Sequence, residues 1–345
     1  MGCLFSRSSN DAPKEEETPK VFSWDKKDRP DPKDFTIEKL NGETAGRIPG
    51  KINGQQFIIN QCEDCNIYIF DHNATITVDN CTNCRIFIGP SKGSIFLRNC
   101  KDCKCVIACQ QFRTRDCRNM DVLLHCDSQP IIEATTKIRF GCFRYYYPEL
   151  LDQFKSAGLS VYNNTWSNIH DFSPVPGEDN WTLISQDFKM EDYVPAPSSE
   201  EFSSMKISTA PDDSVVPFTQ GNKRRKAEQA CLVVFFKDDG SEERIRNFVK
   251  GITKEGSCTL VQSKEIEIDG DDTTRLFVED QQLADAAGKG PVVSLEYSGA
   301  NAVQVCQDVL QPLIGESVVF VSTADEAGNK VMENWNNHLE CQMGM

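Results

Sequence analysis

Residues 62–70 read Cys-Glu-Asp-Cys-Asn-Ile-Tyr-Ile-Phe, and two related stretches follow at a step of nineteen residues, beginning at Cys81 and Cys100. In each stretch, the second cysteine of a Cys-x-x-Cys pair starts an alternation of apolar residues, which is typical of a strand with one buried face. Strands that recur at a constant step indicate a coil that climbs one turn per repeat. The sequence therefore predicts an N-terminal right-handed parallel β-helix.

Zinc binding is the alternative interpretation of the cysteine pairs. Two such pairs separated by fifteen residues match the spacing of a zinc ribbon. A tetrahedral site takes four ligands, however, so the third pair, Cys100 and Cys103, would be left over. Cysteines stacked inside a β-helix account for all three pairs. We therefore expect a buried cysteine ladder and no metal site.

Length, charge and cysteine content limit the class of protein. With 345 residues the chain is long enough for two domains, and its net charge of −15 argues against a nucleic-acid-binding protein, which needs a basic face. Eleven of the sixteen cysteines lie between Cys62 and Cys142. No apolar signal segment precedes them, and no apolar run approaches transmembrane length. We therefore expect a reduced, cytosolic protein.

The first residues predict a lipid anchor. Gly2 and Ser6 match the pattern for N-myristoylation after removal of Met1, and Cys3 is a natural site for a palmitoyl chain. One myristoyl chain binds a membrane only marginally, whereas two acyl chains anchor a protein stably. An unmodified, disordered N-terminus is the alternative. The prediction is a protein held at a membrane through Gly2 and Cys3.

Changes in composition divide the chain into four parts. The repeats continue to about Phe143, and Pro148 opens a predicted helix that covers the end of the coil. The next segment is rich in proline, serine and acidic residues, as a linker is. The predicted parts are a flexible acylated tether (1–33), the β-helix domain with its capping helix (34–172), a linker or wrapping segment (173–229) and a small α/β domain (230–345).

The C-terminal domain alternates strands and helices and has a last strand at 318–321. This order resembles the small ferredoxin-like α/β fold of nucleoside diphosphate kinases, which transfer phosphate through a histidine held in a dedicated loop. Here the domain has one histidine, His338, in a tail outside any such motif. We therefore expect a nucleoside-diphosphate-kinase-like domain without kinase activity.

The candidate functional site is a polar interruption of the repeat at residues 110–115. Strand alternation places Gln111, Arg113 and Arg115 on one face, and guanidinium groups beside an amide suit a phosphate group. A charged outer face without a partner is the alternative. Neither a catalytic triad nor a phosphate-binding Gly-Lys-Ser loop occurs in the sequence.

Two neighbouring stretches should extend this face. A further step of nineteen residues relates Gly93 to Phe112, so the small-residue loop 90–94 should lie directly beside the glutamine–arginine strand. One rung later in the chain, Glu133 should continue the same face.

The chain as a whole resembles the tubulin-folding cofactor C family. The resemblance rests on the Gly2-Cys3 start, the Cys-x-x-Cys repeats, the Gln111-Phe112-Arg113 core, the stretch 163–172 and the kinase-like domain. It implies a GTPase-activating protein for a GTP-loaded Arf-like small GTPase that acts in ciliary traffic of lipidated cargo. The implied locations are the cytoplasmic face of the plasma membrane, the ciliary base and Golgi-associated vesicles.

The resemblance also implies roles for the site residues. Arg113 is the arginine finger, and Gln111 assists it. The nucleotide-proximal residues are Gly93, Ser94, Gln110, Gln111, Phe112 and Arg113, and the partner-binding residues are Glu133, Phe172 and Arg115. No cofactor of its own is expected, because GTP and Mg²⁺ belong to the partner GTPase.

Two other functions stay open at this point. A tubulin-folding factor would use the same arginine on the GTP of tubulin, and an adaptor would bind the GTPase without stimulating it. In neither case is the chain an independent enzyme, since it contributes at most one catalytic arginine to a partner.

Overall fold

The computed structural model describes residues 31–221, 229–277 and 281–343, and a parallel β-helix fills much of the first range. All pairings among its twelve strands are parallel, which confirms the predicted β-helix. The strands are β1 (Thr36–Glu38), β2 (Thr44–Arg47), β3 (Phe57–Asn60), β4 (Asn66–Ile69), β5 (Ile76–Asp79), β6 (Arg85–Arg98), β7 (Lys104–Arg115), β8 (Arg118–Cys126), β9 (Ile131–Glu133), β10 (Thr136–Cys142), β11 (His170–Asp171) and β12 (Trp181–Leu183).

The strands form two faces of the coil. The front face consists of β1, β3, β5, the second halves of β6 and β7, then β9 and β11, paired in that order. The back face consists of β2, β4, the first halves of β6 and β7, then β8, β10 and β12. Each repeat thus contributes one strand to each face.

The Cys-x-x-Cys pairs form the corners between these faces. Seven residues that directly precede a cysteine have a φ between 51° and 55°: Gln61, Asp64, Asn80, Asn83, Asn99, Asp102 and Asp116. Asparagine and aspartate tolerate this left-handed conformation better than most residues with a side chain. Successive corners are also linked, because Nδ2 of Asn83 donates to Oδ1 of Asp64 at 2.6 Å. The corner residues therefore turn the chain and point each cysteine inward.

The cysteines of the β-helix are free thiols in its interior. Their side chains are at most 2% exposed, and they occur among the apolar residues of one continuous core. Several Sγ atoms donate to the backbone of their own corner, as Cys103 does to the carbonyl oxygen of Lys101 at 3.3 Å. Among the described residues, no group of three or more His, Cys, Asp or Glu side chains is placed to hold a metal ion. The burial of the cysteine pairs among apolar side chains confirms the predicted cysteine ladder.

The β-helix extends further along the chain than the prediction of an end near Phe143. β11 pairs with β9, and β12 pairs with β10, so the last coil reaches Leu183. These two strands have only two and three residues, too few to show an alternating pattern. The segment that follows wraps around the same core, in which Met190, Val194, Phe202 and Val216 are buried.

The helix predicted as an end cap, α1 (Leu150–Ala157), instead lies along the side of the coil. Nε2 of Gln153 donates to the carbonyl oxygen of Phe70, which follows β4. The ring of Phe154 packs edge-on against Phe143, which follows β10. One short helix that contacts coils so far apart covers a lateral face, where outward-facing aromatic side chains offer it an apolar surface.

The C-terminal domain is an antiparallel four-stranded sheet with helices on both faces. Its sheet order is β14-β15-β13-β16, the order of a ferredoxin-like fold, and this confirms the prediction. The elements are β13 (Gln229–Phe235), α2 (Ser241–Glu255), β14 (Cys258–Ile266), α3 (Gly270–Leu276), α4 (Gln281–Ala287), β15 (Val292–Gly299), α5 (Ala302–Ile314), β16 (Val319–Val321) and α6 (Glu326–Met343).

Two details of this domain differ from the prediction. The helix expected near 273–287 is two helices, α3 and α4. The tail that contains His338 is the long helix α6, which buries Trp335 in the second core of the domain. The buried residues Val331, Trp335 and Leu339 have the i, i+4, i+8 spacing of a helix, a signal that the interpretation of this segment as a tail overlooked. No described helix is both long and apolar enough to cross a membrane.

We expect His125 to make the β-helix less stable in acid. Its fully buried ring packs against Phe154, and its Nε2 lies 2.9 Å from the carbonyl oxygen of Ser160. Burial lowers the pKa of His125 from 6.5 to about 4. As the pH falls from 6.5 to 4, the unfolded chain therefore binds a proton that the folded chain excludes, which costs stability.

Between pH 7 and pH 5 this loss should be about 2 kcal/mol in the free energy of unfolding, measured by urea denaturation. The matched variant His125→Gln keeps a polar side chain but cannot take up the proton. Its stability should depend less on pH by about the same amount. Equal pH dependence in the two proteins would contradict the assignment to His125.

Candidate functional site

The front face brings the predicted site residues together. In the pairing of β6 with β7, Ser94 lies beside Gln111, and Phe96 lies beside Arg113. In the pairing of β7 with β9, Arg115 lies beside Glu133. Five predicted positions thus share one exposed surface with Phe96. We call this surface the finger face, and it consists of Ser94, Phe96, Gln111, Arg113, Arg115 and Glu133.

Phe172 adjoins this surface. Its backbone N–H donates to the carbonyl oxygen of Ile132 at 2.9 Å, which continues the pairing of β11 beside β9 and brings it next to Glu133. The side chain is 62% exposed, an unusual value for a phenylalanine, and its ring lies edge-on to His170 at 4.4 Å. An exposed aromatic side chain beside charged residues is typical of a contact with another protein.

The register differs from the predicted step of nineteen. Ile95, not Gly93, lies beside Phe112, because the chain from Ile107 to Phe112 on β7 is two residues shorter than the chain from Ile88 to Ile95 on β6. Gly93 lies just before the paired segment, and its N–H donates to the carbonyl oxygen of Ala74 at 2.9 Å. A Cβ at this position would come within 2.9 Å of the same oxygen, so only glycine fits without a shift.

The guanidinium group of Arg113 is exposed and uncommitted, meaning that no other described residue binds it through a polar contact. Within the described part of the chain it has neither a hydrogen bond nor an ion pair. Arg98, on the neighbouring strand, differs because it forms a bidentate pair with Asp79 at 2.7 and 2.6 Å. On the back face, Arg139 pairs with Asp121 in the same way. Arg113 is thus available to an anionic group supplied from outside.

The two glutamines are held in different ways. Oε1 of Gln111 accepts a hydrogen bond from Oγ of Ser94 at 2.9 Å, so its Nε2 is left to donate outward. Gln110 has an exposed side chain, while its carbonyl oxygen accepts from the N–H of Ser128 at 3.0 Å and from Oγ of Ser128 at 2.8 Å. The finger face therefore presents an amide donor beside the guanidinium.

The strand that carries Arg113 is held in place by the side chains on either side of it, which point into the core. Phe112 is fully buried, with its ring edge-on to Phe140 at 5.9 Å between centroids. Oγ1 of Thr114 lies 3.0 Å from Oγ1 of Thr135 in the interior. Inward anchors on both sides of Arg113 fix its backbone, which suits a group that must be placed accurately.

Two residues that shape the site, Phe96 and Ser128, were not predicted from the sequence. Phe96 lies beside Arg113, and its ring is within 5.3 Å of the guanidinium of Arg98 and 6.0 Å of that of Arg115. Ser128 fixes the carbonyl group of Gln110. The alternation in 94–98 gives a signal for Phe96, whereas nothing in the sequence marks Ser128.

Comparisons with known proteins identify a matching family model and full-length relatives. The family model described as tubulin binding cofactor C matches residues 54–172, a range that includes the whole finger face and Phe172. Protein XRP2 of Xenopus laevis is 50% identical over the full length of both chains, and Protein XRP2 of Homo sapiens is 48% identical, also over both full lengths.

More distant matches cover less than half of this chain. Tubulin-specific chaperone C of Homo sapiens is 24% identical over 44% of each chain. Among solved structures, tubulin binding cofactor C from Leishmania major is 22% identical, covering 48% of this chain and 94% of that one at a TM-score of 0.29, which is too low to support a structural argument. The predicted resemblance to the cofactor C family is confirmed over residues 54–172 by the family match.

Proposed function

The chain belongs to the Protein XRP2 family, and from the geometry of its finger face we propose that it is a GTPase-activating protein that supplies Arg113 in trans to an Arf-like small GTPase. The observation that carries this proposal is the uncommitted guanidinium of Arg113 on a rigid strand. GTP hydrolysis builds negative charge on the γ-phosphoryl and bridging oxygens, and an arginine inserted at that point stabilises the charge.

The neighbouring residues complete the proposed nucleotide contact. The free Nε2 of Gln111 is the second donor toward the phosphates, and Ser94 keeps it in that orientation. Gln110 and the Gly93 loop are proposed to lie close to the nucleotide, whereas the ring of Phe112, predicted as nucleotide-proximal, points into the coil and supports the strand. GTP and Mg²⁺ come from the GTPase, so the chain acts without a cofactor of its own and without kinase activity.

Phe172, Glu133 and Arg115 form the proposed contact with the body of the GTPase. Phe172→Ala is expected to weaken GTPase binding by roughly 10–100-fold, because an exposed aromatic that becomes buried in an interface behaves as a hot spot. Titration calorimetry with the GTPase loaded with a non-hydrolysable GTP analogue measures this effect.

Ile58→Ala is the matched control for Phe172. Ile58 is also an exposed apolar residue, at 39%, on the front face. Four successive pairings, Ile58–Thr77, Thr77–Phe96, Phe96–Arg113 and Arg113–Ile131, separate it from the strand beside Phe172. At strand spacing this is about 19 Å. Unchanged affinity in Phe172→Ala, or equal losses in both variants, would contradict the proposed contact.

We also propose that acyl chains on Gly2 and Cys3 hold the protein at the cytoplasmic face of the plasma membrane, with further sites at the ciliary base and Golgi-associated vesicles. Both residues lie outside the described residues. The support is the sequence pattern and the need for two chains in stable anchoring. Mass spectrometry of the N-terminal peptide from eukaryotic cells tests it, and an unmodified peptide would contradict it.

The experiment that tests the proposed activity is single-turnover GTP hydrolysis by a panel of GTP-loaded Arf-like GTPases. Strong acceleration of one member by the wild-type protein supports the proposal and identifies the client GTPase. Tight binding without acceleration would instead make the protein an effector or adaptor.

Activation of tubulin is the second candidate function. It is favoured by the match of residues 54–172 to tubulin binding cofactor C and by the similarity to Tubulin-specific chaperone C. The same finger face would then act on GTP bound to tubulin. GTP turnover measured with tubulin and purified folding cofactors distinguishes the two, since only this candidate predicts acceleration there.

A further inference from the structure

The stretch 163–172, of which the proposed function uses only Phe172, begins with a direct link to the C-terminal domain. Nδ2 of Asn163 donates to the carbonyl oxygen of Glu265 at 3.0 Å, and Oδ1 of Asn163 accepts from the N–H of Glu265 at 2.8 Å. Glu265 lies on β14, an edge strand of the antiparallel sheet. The amide of Asn163 therefore takes the place of a neighbouring strand at this edge.

The next two residues bind the end of β8 and the loop that follows it. Oδ1 of Asn164 accepts from the N–H of Cys126 at 3.0 Å, and Nδ2 of Asn164 donates to the carbonyl oxygen of Leu124 at 3.2 Å. Oγ1 of Thr165 lies 2.8 Å from the carbonyl oxygen of Cys126 and 2.6 Å from that of Ser128. Two side chains thus fix the backbone from Leu124 to Ser128.

That loop in turn holds the finger strand. Both the N–H and the hydroxyl group of Ser128 donate to the carbonyl oxygen of Gln110, and the N–H of Asp127 donates to that of Cys109. A continuous series of hydrogen bonds therefore runs from β14 of the C-terminal domain to the residue next to Gln111. We call this series, from Glu265 through Asn163, Asn164, Thr165 and Ser128 to Gln110, the brace.

Other contacts reinforce the brace at its outer end. Oγ of Ser263 donates to the carbonyl oxygen of Tyr162 at 2.8 Å. Lys264 is a buried cation on β14; burial lowers the pKa of Lys264, and the negative charge of Asp127 opposes this. The junction is thus polar and specific, so it fixes a single relative placement of loop and strand.

We propose that the C-terminal domain is a positioning element for GTPase activation and that Asn163 is the positioning residue through which it holds the glutamine–arginine strand. This inference rests on the proposed function. An arginine finger loses much of its effect when its mount shifts by about an ångström, so a distant contact that fixes the strand contributes to the rate. The domain would then serve catalysis without touching the nucleotide.

The first test is Asn163→Ala in the full-length protein. We expect the hydrolysis rate at saturating activator to fall by roughly 3–30-fold, while the activator concentration giving half-maximal rate changes less than about twofold. Lys155→Ala is the matched control, because Lys155 pairs with Glu242 at 3.2 Å across the same junction but takes no part in the brace. It should leave both quantities unchanged.

A double-mutant cycle tests whether Asn163 acts through Ser128. Ser128→Ala alone should lower the saturated rate, and Ser128→Thr, which keeps the hydroxyl group, should restore it. If both residues belong to one brace, the double variant Asn163→Ala/Ser128→Ala loses less than the product of the two single effects. Independent, multiplicative losses would overturn the proposal, as would a loss in Asn163→Ala equal to that in Lys155→Ala.

Amide hydrogen exchange gives a readout that needs no GTPase. In Asn163→Ala, peptides covering 124–130 and 104–115 should exchange faster than in the wild type, whereas Lys155→Ala should not change them. Unchanged exchange in Asn163→Ala would overturn the brace. If the wild type accelerates no GTPase, the proposed function fails and the catalytic role of the brace fails with it, but the exchange result still decides the structural link.

Discussion

Replacing Arg113 by alanine is expected to lower the rate of GTP hydrolysis in the activated complex by roughly 10³–10⁵-fold, or about 4–7 kcal/mol in the barrier. The reason is that the arginine acts on charge that develops only in the transition state. Because Arg113 has no side-chain partner within the described residues, its removal breaks no internal contact. Stability should therefore stay within about 0.5 kcal/mol of the wild type.

Lysine at position 113 should not restore the rate. An ammonium group carries the same charge but offers a point charge on a flexible stem in place of a planar fork with paired donors. We expect Arg113→Lys to recover less than about a tenth of the lost rate, because guanidinium and phosphate oxygens match in a bidentate geometry. Single-turnover hydrolysis at saturating activator, with binding measured separately, distinguishes lost chemistry from lost affinity.

Arg118→Ala is the matched control for Arg113. Arg118 is an exposed arginine at the start of β8, it is five residues further along the chain, and its side chain likewise has no partner among the described residues. Its removal changes the net charge of the protein by the same amount, so any general electrostatic effect on association appears in both variants. Equal losses in the two variants, or full activity in Arg113→Lys, would rule out an arginine finger.

The sequence was sufficient to predict the β-helix because two sets of residues specify the repeat, one inside the coil and one at its corners. The inward cysteines and isoleucines specify the strands, as in Cys65, Ile67 and Ile69, all at most 1% exposed. The corner residues, such as Asp64 and Asn83, specify where the chain turns. The last coil could not be predicted in this way, since β11 and β12 are too short for a pattern and join the sheet only through long connections.

The sequence predicts which residues form the site, but not which residues of neighbouring strands lie beside each other. Alternation alone places Gln111, Arg113 and Arg115 on one face, since strand periodicity does not depend on neighbours. The partner of Phe112 does depend on the length of the preceding connection, and on β7 the chain from Ile107 to Gln111 is two residues shorter than the matching chain from Ile88 to Ser94 on β6. The brace through Asn163 joins residues about a hundred positions apart, and no local pattern encodes such a contact.

Phe112→Ala is expected to lower the stability of the protein strongly, whereas Arg113→Ala should leave it nearly unchanged, although the two residues are neighbours. The ring of Phe112 is fully buried against Phe140 in the narrow interior of the coil, which cannot collapse around a cavity because strands on both faces hold it open. Such a truncation should cost about 3–5 kcal/mol of unfolding free energy. At roughly 2–4 °C per kcal/mol, thermal unfolding of the β-helix should begin some 6–20 °C lower.

Phe172→Ala is the control, because the same truncation at a residue that is 62% exposed should change stability by less than about 0.5 kcal/mol.

Comparing Phe112→Ala with Arg113→Ala separates two contributions to activity: the rigidity of the strand and the chemistry of the guanidinium group. Loss of Phe112 should weaken hydrolysis only as far as the strand beneath Arg113 loosens, and lowering the temperature should recover part of it. Loss of Arg113 should be equally severe at every temperature where the protein is folded. If cooling rescued Arg113→Ala, or if Phe112→Ala melted like the wild type, the finger strand would not be the rigid mount on which the proposed mechanism depends.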